Sequence, residues 1–402
     1  MKDGKFSVGI IGVGKRGVYF GTPNLCAAGG YYVSCVCDLK EETAEHAVEE
    51  LGGDVTGYTD IDAFLKHPDL DAVIVVTDDK SHAEVTKKVH AAKKHVFLEK
   101  PMAQTIEDCD MLVDAWTKET VFMVGLELRY CTLMQQRKEI MNRGDIGRVI
   151  VANVVDNVSV GGNYFFHNHW RKESFVKSLV LQKGTHSLDL ANWIIDDSPV
   201  RVYASSGLDV FGGDGEDIRC IDCDKAETCP YCRSREIFAS DYGKESAERL
   251  AGDRCVYSRE CEVHDNAVVL VDYEHGARMS YIECHFTPEY TREFTFIGDK
   301  GKMTAFYNNE QEFKIMVWKR HEEKPVYYYP QKVTGNGAAA HGGGDIGIIK
   351  EFGRRVREGK PCMVGIKGAR DSAAIAIAAY ESGKSGVPVN IPKGYAFEGD
   401  ER

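Results

Sequence analysis

A glycine-rich turn near the start of the chain has the spacing of a phosphate-binding loop. It reads Gly-Val-Gly-Lys-Arg-Gly and follows an apolar run, Phe6 to Ile11, that predicts a buried strand. In such a turn the first glycine allows the tight bend, the second lets the backbone approach a pyrophosphate, and the third lets the next helix pack on the strand. The positive end of that helix favours the phosphate charge. We predict that this loop binds a dinucleotide through Gly12, Gly14, Lys15, Arg16 and Gly17.

An acidic residue stands where the ribose of such a cofactor would lie. Asp38 follows a second predicted strand, Tyr31 to Cys37, about 20 residues after the glycine loop. A carboxylate there accepts hydrogen bonds from the ribose hydroxyls of NAD and repels the 2′-phosphate of NADP. The sequence therefore predicts NAD, and the nearby Lys40 keeps NADP as the less favoured alternative.

Six of the 13 cysteines are crowded into the middle of the chain. Two C-x-x-C pairs are followed by two single cysteines, and paired C-x-x-C motifs are typical of structural zinc sites. We predict one zinc ion, with its four ligands drawn from Cys220, Cys223, Cys229, Cys232 and Cys255, and with Cys261 as a further substitute for Cys232. The gap between the two pairs is short for a zinc ribbon, and an iron–sulfur site, disulfides and free thiols stay open as alternatives.

The first third of the chain alternates apolar runs with amphipathic segments. The runs predict five strands, at Phe6 to Ile11, Tyr31 to Cys37, Asp71 to Thr77, His95 to Leu98 and Val121 to Val124. Helical patterns lie between them, at Glu41 to Leu51, Ser81 to Lys93 and Thr105 to Thr117. Alternation of strand and helix predicts parallel βαβ units, and hence an α/β fold with a doubly wound Rossmann sheet over residues 1–126.

The pattern changes after residue 126. Longer runs of Val, Tyr, Phe and Thr alternate as in an antiparallel sheet with one covered face, and two helical patterns lie near the end of the chain. We predict a second domain over residues 127–402. It contains a polar, Cys-rich insertion at about residues 209–264, which has too few apolar residues to fold without support.

Further short motifs occur in a fixed order along the chain. Glu99-Lys100-Pro101 follows the fourth strand, and Val124 to Tyr130, Gly144 to Val149 and Lys183 to Asp189 come later. With the glycine loop, this set resembles the Gfo/Idh/MocA family of glucose-fructose oxidoreductase, inositol dehydrogenase and rhizopine catabolism proteins, over nearly the whole chain. The resemblance implies a second domain built on a large open, mainly antiparallel sheet that often forms a homodimer or homotetramer interface.

The resemblance also implies hydride transfer between a nicotinamide and a secondary alcohol or ketone of a sugar, glycoside or cyclitol. The family's catalytic lysine and histidine correspond to Lys100 and His186, and Lys183 adds a second cation beside them. A lysine can stabilise an alkoxide and a histidine can move the hydroxyl proton, which fits alcohol oxidation. Further cofactor contacts are expected at Thr77, His82, Glu99 and Lys100.

Several other residues are expected to bind the substrate. Many family members carry an aspartate four residues before the catalytic histidine, where this chain has Gln182, which cannot transfer a proton. Polar and aromatic residues of a nearby loop, and a Gly-rich segment that begins at His341, are expected to compensate. The predicted substrate-binding residues are Tyr130, His167, His169, Trp170, Arg171, Gln182 and His341.

Composition excludes other classes of function. The formal net charge is -12, which argues against nucleic-acid binding because that function needs a basic surface. No apolar run approaches the roughly 18 residues of a membrane span, and no signal peptide is evident, so we expect a cytoplasmic protein.

Two other functions remain as alternatives to net oxidation. One is a redox-neutral enzyme that keeps its NAD and cleaves a glycoside through a 3-keto sugar. The other is a non-catalytic nucleotide-sensing protein, which the intact Lys100 and His186 disfavour.

Overall fold

The computed structural model describes residues 4–159, 161–233, 252–308, 313–331, 341–359 and 365–394. Six parallel strands form the first sheet, in the spatial order β3-β2-β1-β4-β5-β6. The strands are β1 (Phe6–Ile11), β2 (Tyr31–Cys37), β3 (Thr56–Tyr58), β4 (Ala72–Val75), β5 (His95–Leu98) and β6 (Phe122–Val124). The helices are α1 (Lys15–Phe20), α2 (Pro23–Gly29), α3 (Glu41–Leu51), α4 (Ile61–Phe64), α5 (His82–Ala91) and α6 (Ile106–Ala115).

Local sequence explains why these elements form a doubly wound sheet. Every residue of β1 and β4 is buried, as expected for central parallel strands that are covered on both faces. At the start of α6 the Thr105 hydroxyl accepts a hydrogen bond from the main-chain N–H of Asp108, as the sequence predicted. The strand order reverses between β1 and β4, which is the usual ligand-binding crevice of such sheets.

Nine strands form the second sheet, in the order β14-β13-β12-β11-β7-β10-β9-β8-β15. They are β7 (Val149–Asn157), β8 (Pro199–Gly207), β9 (Asn266–Tyr273), β10 (Arg278–Cys284), β11 (Thr291–Gly298), β12 (Gly301–Asn308), β13 (Phe313–Lys319), β14 (Val326–Tyr328) and β15 (Val389–Asn390). All neighbouring pairs are antiparallel except β7 with β10. The expected α/β architecture, a Rossmann sheet plus a large and mainly antiparallel sheet, is confirmed.

Helices cover one face of this second sheet. They are α7 (Thr132–Asn142), α9 (Thr185–Ile195) and α11 (Ile366–Ser385). Two further helices of this part of the chain are the short α8 (Glu173–Val176) and α10 (Gly344–Glu358), which packs against the first domain. The segment before α9, Val180–Gly184, is a π-helical turn, so the chain enters α9 through a local widening. None of the helices in the described ranges is long and apolar enough to cross a membrane.

Helix α10 returns to the first domain and completes its core. Ile348, Ile349 and Phe352 join the apolar cluster of β1. A Cβ on Gly353 would lie 1.7 Å from the main-chain oxygen of Gly29, so only glycine allows this close approach of α10 to α2. A helix from late in the chain is therefore placed against α2 and β1 of the first domain.

The Cys-rich insertion is anchored at both ends by one buried carboxylate. Asp265 accepts hydrogen bonds from the main-chain N–H groups of Asp209, Val210 and Phe211. Phe211 and Val256 then pack in a small apolar cluster beside the second sheet. Residues 234–251 of the predicted insertion lie outside the described residues.

Candidate active site

The glycine loop joins β1 to α1 and has an open surface at its centre. Gly12 has φ +85°, and a Cβ there would lie 2.5 Å from the main-chain oxygen of Val76. A Cβ on Gly17 would lie 2.0 Å from the oxygen of Gly12, whereas one on Gly14 would meet no protein atom within 4 Å. Two glycines are therefore required by packing, and the third leaves room for a ligand.

Two polar side chains border the open side of this loop. Asp38 accepts a hydrogen bond from the main-chain N–H of Val13 (3.1 Å), which fixes its carboxylate at the end of β2. The hydroxyl of Thr77 is buried and has no hydrogen-bond partner among the described residues. An open cradle and an unpartnered buried hydroxyl beside a fixed carboxylate fit a dinucleotide such as NAD.

The Glu99-Lys100-Pro101 segment leaves β5 at the same edge of the sheet. One Glu99 oxygen accepts a hydrogen bond from the main-chain N–H of Lys100 (2.9 Å), and the other pairs with Arg16 (2.6 Å). The Lys100 ammonium donates a hydrogen bond to the main-chain oxygen of Gln182 at 2.7 Å. Lys100 of the first domain is thus held against the segment that leads into α9.

Three buried or half-buried side chains meet beside Lys100. Glu127 Oε1 lies 3.5 Å from His186 Nε2 and 3.3 Å from His341 Nε2. In the described part of the chain, these three residues bring three potential metal-ligand atoms within 4.8 Å of one another. Glu127 comes from the junction after β6, His186 from α9 and His341 from the turn before α10, so three distant parts of the chain build this group.

A line of alternating charges connects this group to the glycine loop. His341 Nδ1 lies 2.9 Å from Asp345 Oδ2, and Asp345 Oδ1 lies 2.6 Å from the Arg16 guanidinium. Arg16 also pairs with Glu99. We predicted Arg16 as a cofactor contact, but the structure places its guanidinium between two carboxylates, where it joins α1, β5 and α10.

Burial and neighbouring charge set the protonation of this group in opposite directions. Burial, with the Lys100 charge added, holds the pKa of His186 well below its ordinary value. Burial also raises the pKa of Glu127. Burial by itself would lower the pKa of His341, but the Glu127 and Asp345 carboxylates raise it above its ordinary value. The site thus holds a neutral His186 next to a His341 that favours its charged form.

A second polar cluster lies on the other side of His186. The Asp156 carboxylate is 3.0 Å from the Arg292 guanidinium and 3.6 Å from the Lys183 ammonium, and it accepts hydrogen bonds from Ser187 (2.5 Å) and Tyr281 (3.1 Å). All of these side chains come from the second domain. Lys183 is therefore paired with a carboxylate that the sequence analysis did not single out.

Aromatic side chains form a platform in the loop before α8. Trp170 stacks on Tyr164 with ring centroids 4.8 Å apart, and His169 packs on Phe175 at 4.0 Å. His169 and Tyr164 are exposed. Such a surface suits a sugar ring, which leaves His169 and Trp170 as predicted substrate contacts.

Two other predicted substrate contacts, His167 and Arg171, make hydrogen bonds to the Cys-rich insertion. The ring of His167 is buried and its Nδ1 lies 2.6 Å from the main-chain oxygen of Arg254. Arg171 donates hydrogen bonds to the main-chain oxygen of Cys255 (3.1 Å) and to Asp217 (2.6 Å). Both side chains contact main-chain oxygens of the Cys-rich insertion, and substrate binding by His167 and Arg171 stays a prediction.

His82, which was predicted to contact the cofactor, lies between two main-chain oxygens. Its ring is fully buried, with Nδ1 at 2.7 Å from the main-chain oxygen of Pro101 and Nε2 at 3.0 Å from that of Thr77. It connects the loops after β4 and β5. A direct contact of His82 with the cofactor stays a prediction.

The remaining predicted residues have mixed placements. Tyr130 packs against α10, where a Cβ on Gly347 would lie 2.6 Å from the Tyr130 Cβ. The main-chain oxygen of Gln182 accepts the hydrogen bond from Lys100, and Lys15 is exposed beside the glycine loop.

The sequence analysis did not single out four charged residues of this site. They are Glu127, Asp156, Arg292 and Asp345. The sequence indicated them only as charged residues within a matched motif or a predicted strand.

The five predicted metal ligands line one small cavity. Cys220, Cys223, Cys229, Cys232 and Cys255 surround it together with His167, Tyr231 and Val256. Cys261 is buried in the neighbouring apolar cluster. Within the described residues the cysteines form no group of three sulfurs within 4.8 Å, so the ring of thiols is wider than a metal-bound tetrahedron.

Comparison with known proteins decides the family. Residues 6–126 match the model of an oxidoreductase family with an NAD-binding Rossmann fold, and residues 134–304 match the model of the GFO/IDH/MocA C-terminal domain. The chain belongs to the Gfo/Idh/MocA family. The resemblance drawn from the sequence motifs is thereby confirmed.

Relatives of this chain include an oxidoreductase and several inositol dehydrogenases. YteT of Bacillus subtilis (strain 168), named as an oxidoreductase, is 28% identical over 79% of this chain and 78% of its own length. A myo-inositol 2-dehydrogenase of Thermotoga maritima is 25% identical over 50% of this chain and 58% of its own length. The chain thus spans only about half of the named inositol dehydrogenases.

A solved structure of levoglucosan dehydrogenase with NADH and levoglucosan has the same fold. Its TM-score is 0.74 at 18% identity, and the alignment covers 97% of this chain and 100% of the other. Membership in the Gfo/Idh/MocA family confirms the prediction of an NAD(P)-dependent oxidoreductase acting on CH–OH groups.

Proposed function

We propose that this protein transfers a hydride between NAD and a secondary hydroxyl or ketone of a sugar, glycoside or cyclitol. The observation that carries the proposal is the meeting of Lys100 with His186 and Glu127 at the edge of the Rossmann sheet where the glycine loop lies. The names of the inositol and levoglucosan dehydrogenases support the class of substrate.

The residues around the glycine loop are suited to hold NAD. The open face of Gly14 would take the pyrophosphate, Asp38 the ribose hydroxyls, and the Thr77 hydroxyl a further polar group. When bound, the nicotinamide supplies a two-electron acceptor for a hydride. Because the Asp38 carboxylate repels a 2′-phosphate, we propose NAD rather than NADP.

Lys100 and His186 would handle the substrate hydroxyl. The Lys100 ammonium is positioned by the Gln182 oxygen and stabilises negative charge on the substrate oxygen as the hydride leaves. His186 is neutral because of its burial, and a neutral imidazole can accept the hydroxyl proton. The Tyr164–Trp170 platform would contact the sugar ring.

A panel of cyclitols, sugars and glycosides with NAD or NADP tests this proposal. We expect NADH formation with at least one polyol, and a fall in kcat of about 10²–10⁴-fold in Lys100→Met. Lys88→Met is the matched control, since Lys88 pairs with Asp62 on an exposed surface. If Lys100→Met keeps the wild-type kcat, the role of the lysine is wrong.

A second candidate is redox-neutral glycoside cleavage with a retained cofactor. The cluster of Lys183, Asp156, Arg292 and Tyr290 favours it, because elimination next to a ketone needs acid–base groups beyond those at the oxidised hydroxyl. Burial would raise the pKa of Tyr290, but Arg292 and Lys183 lower it below its ordinary value. This function predicts NAD bound after purification and no net NADH, and stoichiometric NADH release would exclude it.

We also propose that the cysteine ring holds one structural zinc ion. Five thiols around one small cavity supply more than the four ligands that zinc needs, and zinc binding would draw the sulfurs together.

We expect about one zinc per chain by elemental analysis. Chelation should lower the melting temperature of the wild type, and Cys229→Ser should lower it without chelator. Cys26→Ser, far from the ring, is the control, and a metal-free protein of unchanged melting temperature would contradict the proposal.

A further inference from the structure

Glu127 occupies a position between two histidines of different exposure. The side chains of His186 and Glu127 are 5% and 2% exposed, whereas that of His341 is 36% exposed. The three ligand-type atoms lie within 4.8 Å of one another. The group therefore leads from the buried surroundings of Lys100 toward solvent.

Two atoms of this group lack partners. Glu127 Oε2 and His186 Nδ1 are buried and make no hydrogen bond among the described residues. Unpartnered buried polar atoms are costly and indicate a ligand or a proton that the resting protein lacks. A divalent cation and a transferred proton are the two candidates, because two imidazoles and a carboxylate can take either.

The surrounding charges favour the proton. Lys100 and Arg16 bring positive charge to the group, and Arg292 and Lys183 face His186 from the second domain. Glu99 and Asp345 supply two negative charges, Asp156 supplies a third beside Arg292 and Lys183, and a protonated His341 would balance Glu127. A divalent cation would add charge next to Lys100 and Arg16, where it is repelled.

We propose that Glu127 and His341 form a relay that carries the proton of the oxidised hydroxyl from His186 to solvent. The inference rests on the proposed dehydrogenase function and deepens it. Glu127 and His341 act through His186, so they are positioning and relay residues rather than catalytic ones.

Oxidation in this scheme balances as follows. The substrate C–H bond breaks and its hydride, with two electrons, passes to NAD⁺, while the O–H proton passes to His186 and a C=O bond forms. His186 gives the proton from Nε2 to Glu127. His341, which rests in its charged form, releases its own proton to water and then takes the proton from Glu127. NADH, ketone and one proton are the products.

Asp345 and Arg16 orient the outer end of this relay. Asp345 lies 2.9 Å from His341 Nδ1, which leaves Nε2 facing Glu127, and Arg16 holds Asp345 at 2.6 Å. Arg16 belongs to the glycine loop and also pairs with Glu99, so a movement of the glycine loop would shift Asp345 and, through it, His341.

Kinetics of His341→Gln test the relay, using the polyol that gives the fastest NADH formation in the substrate panel. We expect kcat to fall about 10–100-fold with little change in KM, and added imidazole to restore part of it in a concentration-dependent way. The solvent deuterium isotope effect should rise because proton release becomes rate-limiting. His275→Gln, an exposed histidine on the second sheet, is the control and should keep wild-type kcat and buffer independence.

A second measurement needs no substrate. In NAD-loaded protein with ring-labelled histidines, an NMR titration should resolve the signal of His341, which is identified by its absence in His341→Gln. The pKa of this histidine should be lower in Glu127→Gln than in the wild type, because residue 127 is then neutral. If no substrate in the panel is oxidised, the proposed function fails while this titration still tests the relay.

Three outcomes would overturn the relay. They are a His341→Gln enzyme with wild-type kcat and pH profile, a loss of activity that imidazole does not restore, and a His341 titration that Glu127→Gln leaves unchanged. A fourth is a stoichiometric divalent ion that survives dialysis, is lost in Glu127→Gln and restores activity to chelated protein, because the group would then be a cation site.

Discussion

At the scale of single residues, the glycine loop shows how the same residue type can have two different causes. Gly17 is glycine because the main chain of Gly12 lies where a Cβ would be, whereas Gly14 faces open space. The fold therefore requires a glycine at position 17, whereas no contact within the described residues requires one at position 14. A ligand that approaches the backbone gives Gly14 its reason.

Substituting these two glycines should therefore give different results. Gly14→Ala is expected to keep the wild-type melting temperature but to weaken NADH binding about 10-fold or more. Gly17→Ala is expected to lower the free energy of unfolding by about 1–3 kcal/mol, because the Cβ overlaps main chain that must shift. Thermal unfolding and NADH fluorescence titration measure both. Equal losses of stability would contradict this division.

At the scale of elements, α5 contains a buried histidine that no charge or hydrogen bond supports. Both ring nitrogens of His90 lack partners among the described residues, and the ring packs edge-on against Phe122 of β6 with centroids 4.6 Å apart. Burial lowers the pKa of His90 to about 4. Helix α5 therefore packs on the sheet only with this imidazole neutral.

Acid should weaken this packing in a defined range of pH. Between about pH 6.5 and pH 4 the unfolded chain binds a proton at His90 that the folded chain excludes, so stability falls as the pH falls. We expect that His90→Leu will reduce this acid-dependent loss in the free energy of unfolding by about 3 kcal/mol. Urea unfolding at a series of pH values measures it. His46→Leu on the exposed face of α3 is the control, and an unchanged pH dependence in His90→Leu would contradict the assignment.

At the scale of the whole molecule, the second sheet has one face that no helix of the described chain covers. Alternation in β9 buries Ala267, Val269 and Val271 and exposes Val268 and Leu270. Apolar side chains of other strands of this sheet, such as Ile297 of β11 and Trp318 of β13, are exposed as well. An apolar face of this extent is typical of a surface covered by another protein chain, and we propose a second copy of this chain.

Charge on that face should change the oligomeric state. Leu270→Lys is expected to convert a dimer or tetramer into smaller species, because a lysine would be buried without a partner. Leu39→Lys, at an exposed leucine outside the sheet, should leave the oligomer intact. Light scattering after size-exclusion chromatography reads the mass of each. A wild-type monomer would contradict the proposed interface.

Local sequence determined the first sheet, the cofactor and the family of this protein. Strand runs such as Phe6 to Ile11, the glycine loop and Asp38 lie within one βαβ unit, where spacing along the chain fixes spacing in space. Short edge strands such as Thr56–Tyr58 were missed because three residues carry too weak a pattern. The hydrogen bonds of His167 and Arg171 to the Cys-rich insertion could not be predicted, because their partners lie more than 80 residues away along the chain.

Only the tertiary structure decided the composition of the site. Glu127, His186 and His341 are separated by long stretches of chain, and no local pattern predicts that they meet. Close packing of α10 against α2, allowed by Gly353, brings this helix to the first domain, where Asp345 pairs with Arg16 of the glycine loop. Motifs could therefore indicate the dinucleotide-binding loop, but the partners of His186 depend on how distant helices pack.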